Sequence, residues 1–225
     1  SPEASYGNPF PAQNKLTLLI PGATTKFSRR SPAEYEKLAN ICAKIINAVP
    51  GNTIIFFPSY ALLAEIHKFL HELSDKKILK ERSQLSKEEK TELLQEFSSN
   101  HTKGSALLAV ISGNFSEGVD LPGDLLKGVV VVGLPLQQPD LETKALIDYY
   151  QKKFGKGWDY GYVRPAFTKA LQSAGRCIRS EKDRGVIAFV DERYSWPQYY
   201  DCFPRDWQPV ITNMYEERVT EFFSP

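Results

Sequence analysis

ALLAVISGNFSEGVDLPGDLLKGVVVVG, residues 106–133, holds two uninterrupted apolar runs separated by a loop of glycines, small polar residues and carboxylates. The runs at 106–111 and 129–132 show no apolar–polar alternation, which suits strands covered on both faces, as in a parallel sheet. A third such run lies at 186–190, and further apolar or β-branched runs lie at 16–20 and 53–57. Between them the periodicity turns helical. Ser31-Pro32-Ala33-Glu34 is a helix start, with a capping serine, a proline in the first turn and a glutamate three residues after the serine. Leu38, Ile41, Cys42, Ile45, Ile46 and Val49 follow at helical spacing until Pro50-Gly51. Pro58-Ser59 ends the strand at 53–57, and a helix is expected over 60–73. Ser86 and Glu89 form a second capping box before a helix reaching about Phe97. Further helices are expected over 141–154, 165–179 and near 214–222. Strands alternating with helices predict an α/β fold, a mostly parallel β-sheet flanked by helices with right-handed crossovers. Ligands meet such sheets at the carboxyl ends of strands, so chemistry is expected just after residues 57, 111, 133 and 190.

Composition bounds the answer only loosely. A length of 225 residues suits one α/β domain with additions. The net charge of +1 provides no global attraction to a polyanion, so any nucleic-acid contact must come from local placement of charge. The three cysteines, Cys42, Cys177 and Cys202, are too few and too scattered for a zinc pair, a disulfide framework or a four-thiolate iron–sulfur cluster. A reducing compartment is expected, and no apolar stretch is long enough to span a membrane. The opening SPEASYGNPFPAQNK reads as an extended connector, with residues 1–14 assigned to it and 15–225 to the domain.

Two segments carry the chemistry. In Ser112-Gly113-Asn114-Phe115-Ser116-Glu117-Gly118-Val119-Asp120 the glycines allow a tight loop whose N–H groups suit an anion or sugar-phosphate chain. Ser112, Asn114 and Ser116 add neutral donors, and Glu117 and Asp120 add acceptors. An ordinary strand-to-helix turn with solvated side chains stays open for this segment. In Gln172-Ser173-Ala174-Gly175-Arg176-Cys177-Ile178-Arg179, a continuous helix would set Gln172, Arg176 and Arg179 on one face, a receptor for polyphosphate. Gly175 costs roughly 1 kcal/mol against alanine within a helix, which suggests a close backbone approach or a packing need. A solvated polar face remains the alternative. Phe56-Phe57-Pro58-Ser59-Tyr60 is a weaker candidate for holding a nucleic-acid backbone. Between the two main segments, Lys152, Lys153, Lys156, Trp158, Tyr160, Tyr162 and Arg164 interleave charge with rings. Such a stretch either tracks a single strand or forms a helix end and a loop packed through Trp158. Lys76, Lys77, Lys80 and Arg82 read as solvated surface, and His67 and His71 lack a third metal ligand in the sequence.

Taken together, these segments resemble the second motor domain of superfamily-two helicases of the XPD/DinG type. Residues 54–66, with FFPSY, resemble motif IV; GNFSEGVDLPGD at 113–124 resembles motif V; QSAGRCIRS at 172–180 resembles motif VI; and GVIAFVDERY at 185–194 resembles the closing strand and D-x-R-[FY] turn. The resemblance covers nearly the whole chain in the family's order. It implies a RecA-like domain with Arg179 as first and Arg176 as second candidate arginine finger. Together with Gln172 these would reach phosphates of ATP held by a first motor domain. It implies that Glu117, Gly118 and Asp120 couple that site to DNA, and that Ser59, Tyr60, Asn114 and Ser116 grip single-stranded DNA. ATP and Mg2+ serve the complete enzyme. The family's iron–sulfur cluster belongs to the first motor domain, as do the G-x-x-x-x-G-K-[ST] loop and the metal-binding acidic segment, which this sequence lacks. The chain alone is therefore expected to be inactive. Repair is the implied pathway, repair or transcription-complex proteins are partners open to it, and the compartment is nucleoid or nuclear according to source. Two rivals stand beside this reading. One is a non-hydrolysing DNA- or protein-binding module on a motor-like fold. The other, a standalone phosphate-binding enzyme, lacks a nucleophile–base pair, a phosphate loop and a metal cluster.

Overall fold

The computed structural model describes residues 11–115, 121, 125–136, 138–178 and 180–224. Among these residues seven strands form one sheet in the order β3-β4-β2-β5-β6-β1-β7. They are β1 (Lys15–Ile20), β2 (Thr53–Phe57), β3 (Lys77–Lys80), β4 (Ser105–Val110), β5 (Gly128–Val132), β6 (Gly185–Val190) and β7 (Val210–Ile211). Every pairing is parallel, as the unbroken apolar runs require. The register sets Leu107, Ile54, Val129 and Ile187 in one row across β4, β2, β5 and β6. The next row is Leu108, Ile55, Val130, Ala188 and Leu18.

Successive strand residues point to opposite faces, so these two rows belong to separate cores. The first row packs with Phe97, Phe167, Ala170 and Ala174 from helices α3 (Lys87–Ser99) and α5 (Arg164–Ala174). The second packs with Leu38, Ile45, Leu63, Ile66 and Val219 from α1 (Pro32–Ala48), α2 (Tyr60–Leu73) and α7 (Tyr215–Phe223). Each such Leu, Ile, Val or Phe side chain gains about 1.5–3 kcal/mol on leaving water, which holds the three layers together. Helix α4 (Leu141–Phe154) has no buried residue and lies outside this sandwich, whereas the single turn α6 (Pro197–Tyr200) buries Tyr199 in the first core. No helix among the described residues is long and apolar enough to cross a membrane.

Local signals behave as their chemistry dictates, with exceptions. The capping box at Ser86 and Glu89 closes in both directions, at 3.1 and 2.8 Å. At α1 only half forms: Ser31 accepts from the Glu34 N–H, but the Glu34 carboxylate turns away to accept from the Thr24 N–H at 2.7 Å. The helix expected over 165–179 ends at Ala174. Gly175–Cys177 continue as a 3-10 turn, and Ile178 is extended. The 76–82 cluster is no uniform solvated surface. Lys77–Lys80 form strand β3, and the Lys76 ammonium donates to the carbonyls of Val49 and Gly51, both at 2.5 Å. Burial there pushes the Lys76 pKa down to about 8.

Candidate functional site

Strand β4 delivers Ser112, Gly113, Asn114 and Phe115 to the carboxyl edge of the sheet, where Phe115 is buried and anchors the turn. Strand β2 delivers Pro58 and Ser59 to the same edge, and the Ile111 N–H donates to the Phe57 carbonyl across the two strand ends. A residue absent from the candidates read in the sequence holds this corner together. Glu81, which follows β3 and is 2% exposed, accepts from the Val110 N–H at 2.8 Å, the Tyr60 hydroxyl at 2.9 Å and the Asn114 side-chain amide at 3.0 Å. It also accepts a short bond from the Asn114 backbone N–H. A side chain at Gly113 would collide with this carboxylate, so the first glycine of the loop is demanded by Glu81. Leu79 and Glu81 lie two residues apart and are both buried, but a carboxylate at 81 breaks the apolar alternation that would mark a strand in the sequence. The flanking lysines mask the strand further.

The three described DNA candidates on this edge differ in what they have free. Ser59 caps α2, its oxygen accepting from the Leu62 N–H at 3.3 Å, which leaves the hydroxyl proton to donate. Tyr60 donates to Glu81. Burial first, and then that bond, push its pKa up to about 12, so the phenol stays protonated. Asn114 directs its side-chain amide to Glu81 and to the Arg82 carbonyl, so it orders the loop.

A second cluster lies at the carboxyl ends of β1 and β6. Asp191, fully buried, accepts from Arg193 Nε at 2.7 Å and Nη2 at 2.9 Å, and from the Thr25 N–H at 2.7 Å. Arg193 also donates to the Thr25 hydroxyl at 2.8 Å, and the Tyr194 hydroxyl donates to the Gly133 carbonyl at 2.8 Å. Burial drives the Asp191 carboxyl up, but the Arg193 bonds and charge, with the two backbone N–H groups, outweigh it and hold the pKa below the ordinary value. The D-x-R-[FY] turn is thus a structural clamp between β1, β5 and β6.

The Gln172–Cys177 segment sits elsewhere. Cys177 lies against Gly185, the first residue of β6, and approaches the Val186 carbonyl at 3.6 Å, which places the segment at the amino edge of the sheet. The segment thus lies apart from the strand ends after residues 57, 111, 133 and 190, because α5 runs antiparallel to the strands and ends at their start. Gln172 is exposed and Arg176 half-buried, but they do not share one continuous helical face, since the helix stops between them. Gly175 is met by nothing within 4 Å of a Cβ, so no close approach explains it; it stands at the helix C-cap, where low helix propensity favours the exit. Arg179, Ser116, Glu117, Gly118 and Asp120 lie outside the described residues.

The three thiols do not converge. Cys42 is buried on one face of the sheet and Cys177 on the other, and burial pushes both up to about 12. This donor set does not fit an iron–sulfur cluster. In the stretch between the two main segments, Tyr150, Phe154 and Tyr160 pack on one another and Trp158 packs on Tyr162 at 4.6 Å, yet Trp158 stays 54% exposed. The rings therefore both pack and face solvent.

The helicase C-terminal domain family matches residues 42–210. The ATP-dependent DNA helicase DDX11 of Mus musculus is 30% identical over 234 residues, covering 90% of this chain and 25% of its own length. The ATP-dependent DNA helicase DinG of Photobacterium profundum is 29% identical over 193 residues, covering 84% of this chain and 27% of its own. The chain thus spans about a quarter of the length of these relatives. Among solved structures, apo XPD superposes with a TM-score of 0.71 at 20% identity, over 88% of this chain and 40% of that one, which supports the RecA-like fold. The chain belongs to the helicase C-terminal domain family, as a second motor domain of the XPD/DinG type.

Proposed function

We propose that this chain is the second motor domain of an ATP-dependent DNA helicase, contributing half of an ATP site and part of a single-stranded DNA grip, with repair as its setting. ATP is the substrate, held with Mg2+ by a first motor domain. Arg179, Arg176 and Gln172 approach its phosphates from this side. Two guanidiniums and an amide form a donor set that fits phosphate oxygens, and Arg179, as the finger, neutralises charge developing on the transferred phosphoryl group. On the other edge, Ser59 offers its hydroxyl proton and Ser116 a second one, while Tyr60 and Asn114 hold the loop in place through Glu81. Glu117, Gly118 and Asp120 link the two edges.

One observation carries this reading. A single stretch of chain joins the edge with Ser59, Tyr60 and Asn114 to the edge with Arg176. It leaves the carboxyl end of β4 at Ile111 and arrives at the amino end of β5, where the Lys127 carbonyl accepts from Val186 and Val186 lies beside Cys177. Leu121 and Leu126 along this stretch pack in the same layer as Ala174 and Cys177. A change at the phosphate edge therefore has a direct covalent and packed route to the DNA edge.

The test is Arg179→Ala in the chain joined to a first motor domain, with DNA-stimulated ATP turnover and DNA affinity measured side by side. Turnover is expected to fall about 10³-fold or more, with DNA affinity nearly unchanged. An equal loss of both would remove the assigned role.

A further inference from the structure

Phe27 is 85% exposed, in a short 3-10 turn just beyond the end of β1. Lys26, Arg29 and Arg30 surround it in sequence. The loop is held firmly: Thr25 is fixed by Asp191 and Arg193, Lys26 pairs with Glu192 at 2.6 Å and lies over the Trp196 ring at 4.1 Å, and Arg30 Nε donates to the Thr25 carbonyl at 3.3 Å. Lys26 is thus engaged in anchoring. Arg29 is 59% exposed with Glu34 at 3.9 Å, the outer limit of an ion pair, and Arg30 has no carboxylate partner among the described residues. The Arg30 guanidinium lies 5.4 Å from the Phe27 ring. Beside the loop runs an open groove of about 440 Å³, lined by Phe27 and Arg30, by Pro58 beyond β2 and by Leu134 and Leu136 beyond β5.

We propose that this groove is a nucleotide subsite for single-stranded DNA, in which a base stacks on Phe27 and its phosphate lies against Arg29 and Arg30. An apolar floor beside cations is what a base and its phosphate need together, and stacking on an exposed ring is indifferent to base identity. The anchored loop lowers the ordering cost of binding. Pro58 lines the groove and Ser59 follows it directly, so the subsite continues the edge assigned above to the DNA backbone; it rests on that assignment.

The test uses this chain and a fluorescent oligothymidine, measuring affinity against salt concentration for the parent, Phe27→Ala, Phe27→Trp and Arg30→Gln. It adds photo-crosslinking to an oligonucleotide carrying 5-iodouracil. Phe27→Ala should bind about five- to a hundredfold more weakly and Phe27→Trp should restore affinity. Arg30→Gln should lower the slope of log affinity against log salt by about 0.7, one phosphate contact on a single strand. The crosslink should map to the peptide carrying Phe27. A parent chain that binds DNA while Phe27→Ala and Arg30→Gln match it would overturn the subsite and leave the DNA-gripping edge standing. A parent chain that binds no DNA would overturn both.

Discussion

Glu81 shows how much one side chain can organise. It gathers the end of β4, the start of α2 and the first residues of the loop after β4 through four hydrogen bonds, one of them to a buried backbone N–H. Glu81→Ala strands those donors, and the expected loss of stability is about 3 kcal/mol or more by urea unfolding, since each buried unsatisfied group costs about 1–3 kcal/mol. Tyr60→Phe removes only one donor and should cost about 1 kcal/mol. If the two variants proved equally stable, Glu81 would not be the organising group. The cysteines give a second expectation at this scale. Cys42 and Cys177 are buried with pKa pushed up to about 12, so neither should react with iodoacetamide at neutral pH until the chain unfolds. Cys202 is half-buried and should be the first modified. Peptide mapping after partial alkylation reads the order directly.

Among the elements, Gly175 separates α5 from the turn carrying Arg176. Its φ of −65° suits any L-residue and a Cβ there meets no atom within 4 Å. Gly175→Ala should therefore stabilise the chain by about 0.4–1 kcal/mol. It should also draw Arg176 toward helical geometry, lowering turnover in the joined motor. A variant both more stable and fully active would show that the helix exit has no part in phosphate contact. The same helix marks where sequence reading stops. The apolar positions of α5 continue through Cys177 and Ile178, both buried, so the periodicity outruns the helix while the backbone has already left it. Strands β2, β4, β5 and β6 were legible because burial on both faces leaves nearly unbroken apolar runs, with Thr53 and Ser105 only at the amino ends of β2 and β4. Strand β3 was not, because only Leu79 in it is buried and its two lysines read as surface. The two exposed residues of β7 carried no signal at all. At the candidate site, Ser59, Tyr60 and Asn114 are legible as candidates from their positions at strand ends. Glu81 was missed because its partners come together only when β3 and β4 pair.

At the level of the whole molecule, the clamp of Asp191 and Arg193 joins the loop after β1 to the turn after its sheet neighbour β6. Asp191→Asn leaves a buried guanidinium without its counter-charge and should cost about 3–5 kcal/mol. The pH dependence follows from the depressed carboxyl. Its stabilisation is present above the ordinary aspartate value of 3.8 and is lost as pH falls through the lower native value. Acid unfolding of the parent should therefore steepen below that point, and Asp191→Asn should lack this component. Two edges of one sheet, one with Arg176 and the other with hydroxyls and a buried carboxylate, are joined along the chain by residues 111–128, and the proposed motor uses that connection for coupling. The direct measurement is DNA-stimulated ATP hydrolysis by this chain alone and by the chain joined to a first motor domain. The chain alone should be silent, and the joined protein should show DNA-dependent turnover. Turnover by the chain alone, or a joined protein that binds DNA without hydrolysing ATP, would contradict this reading.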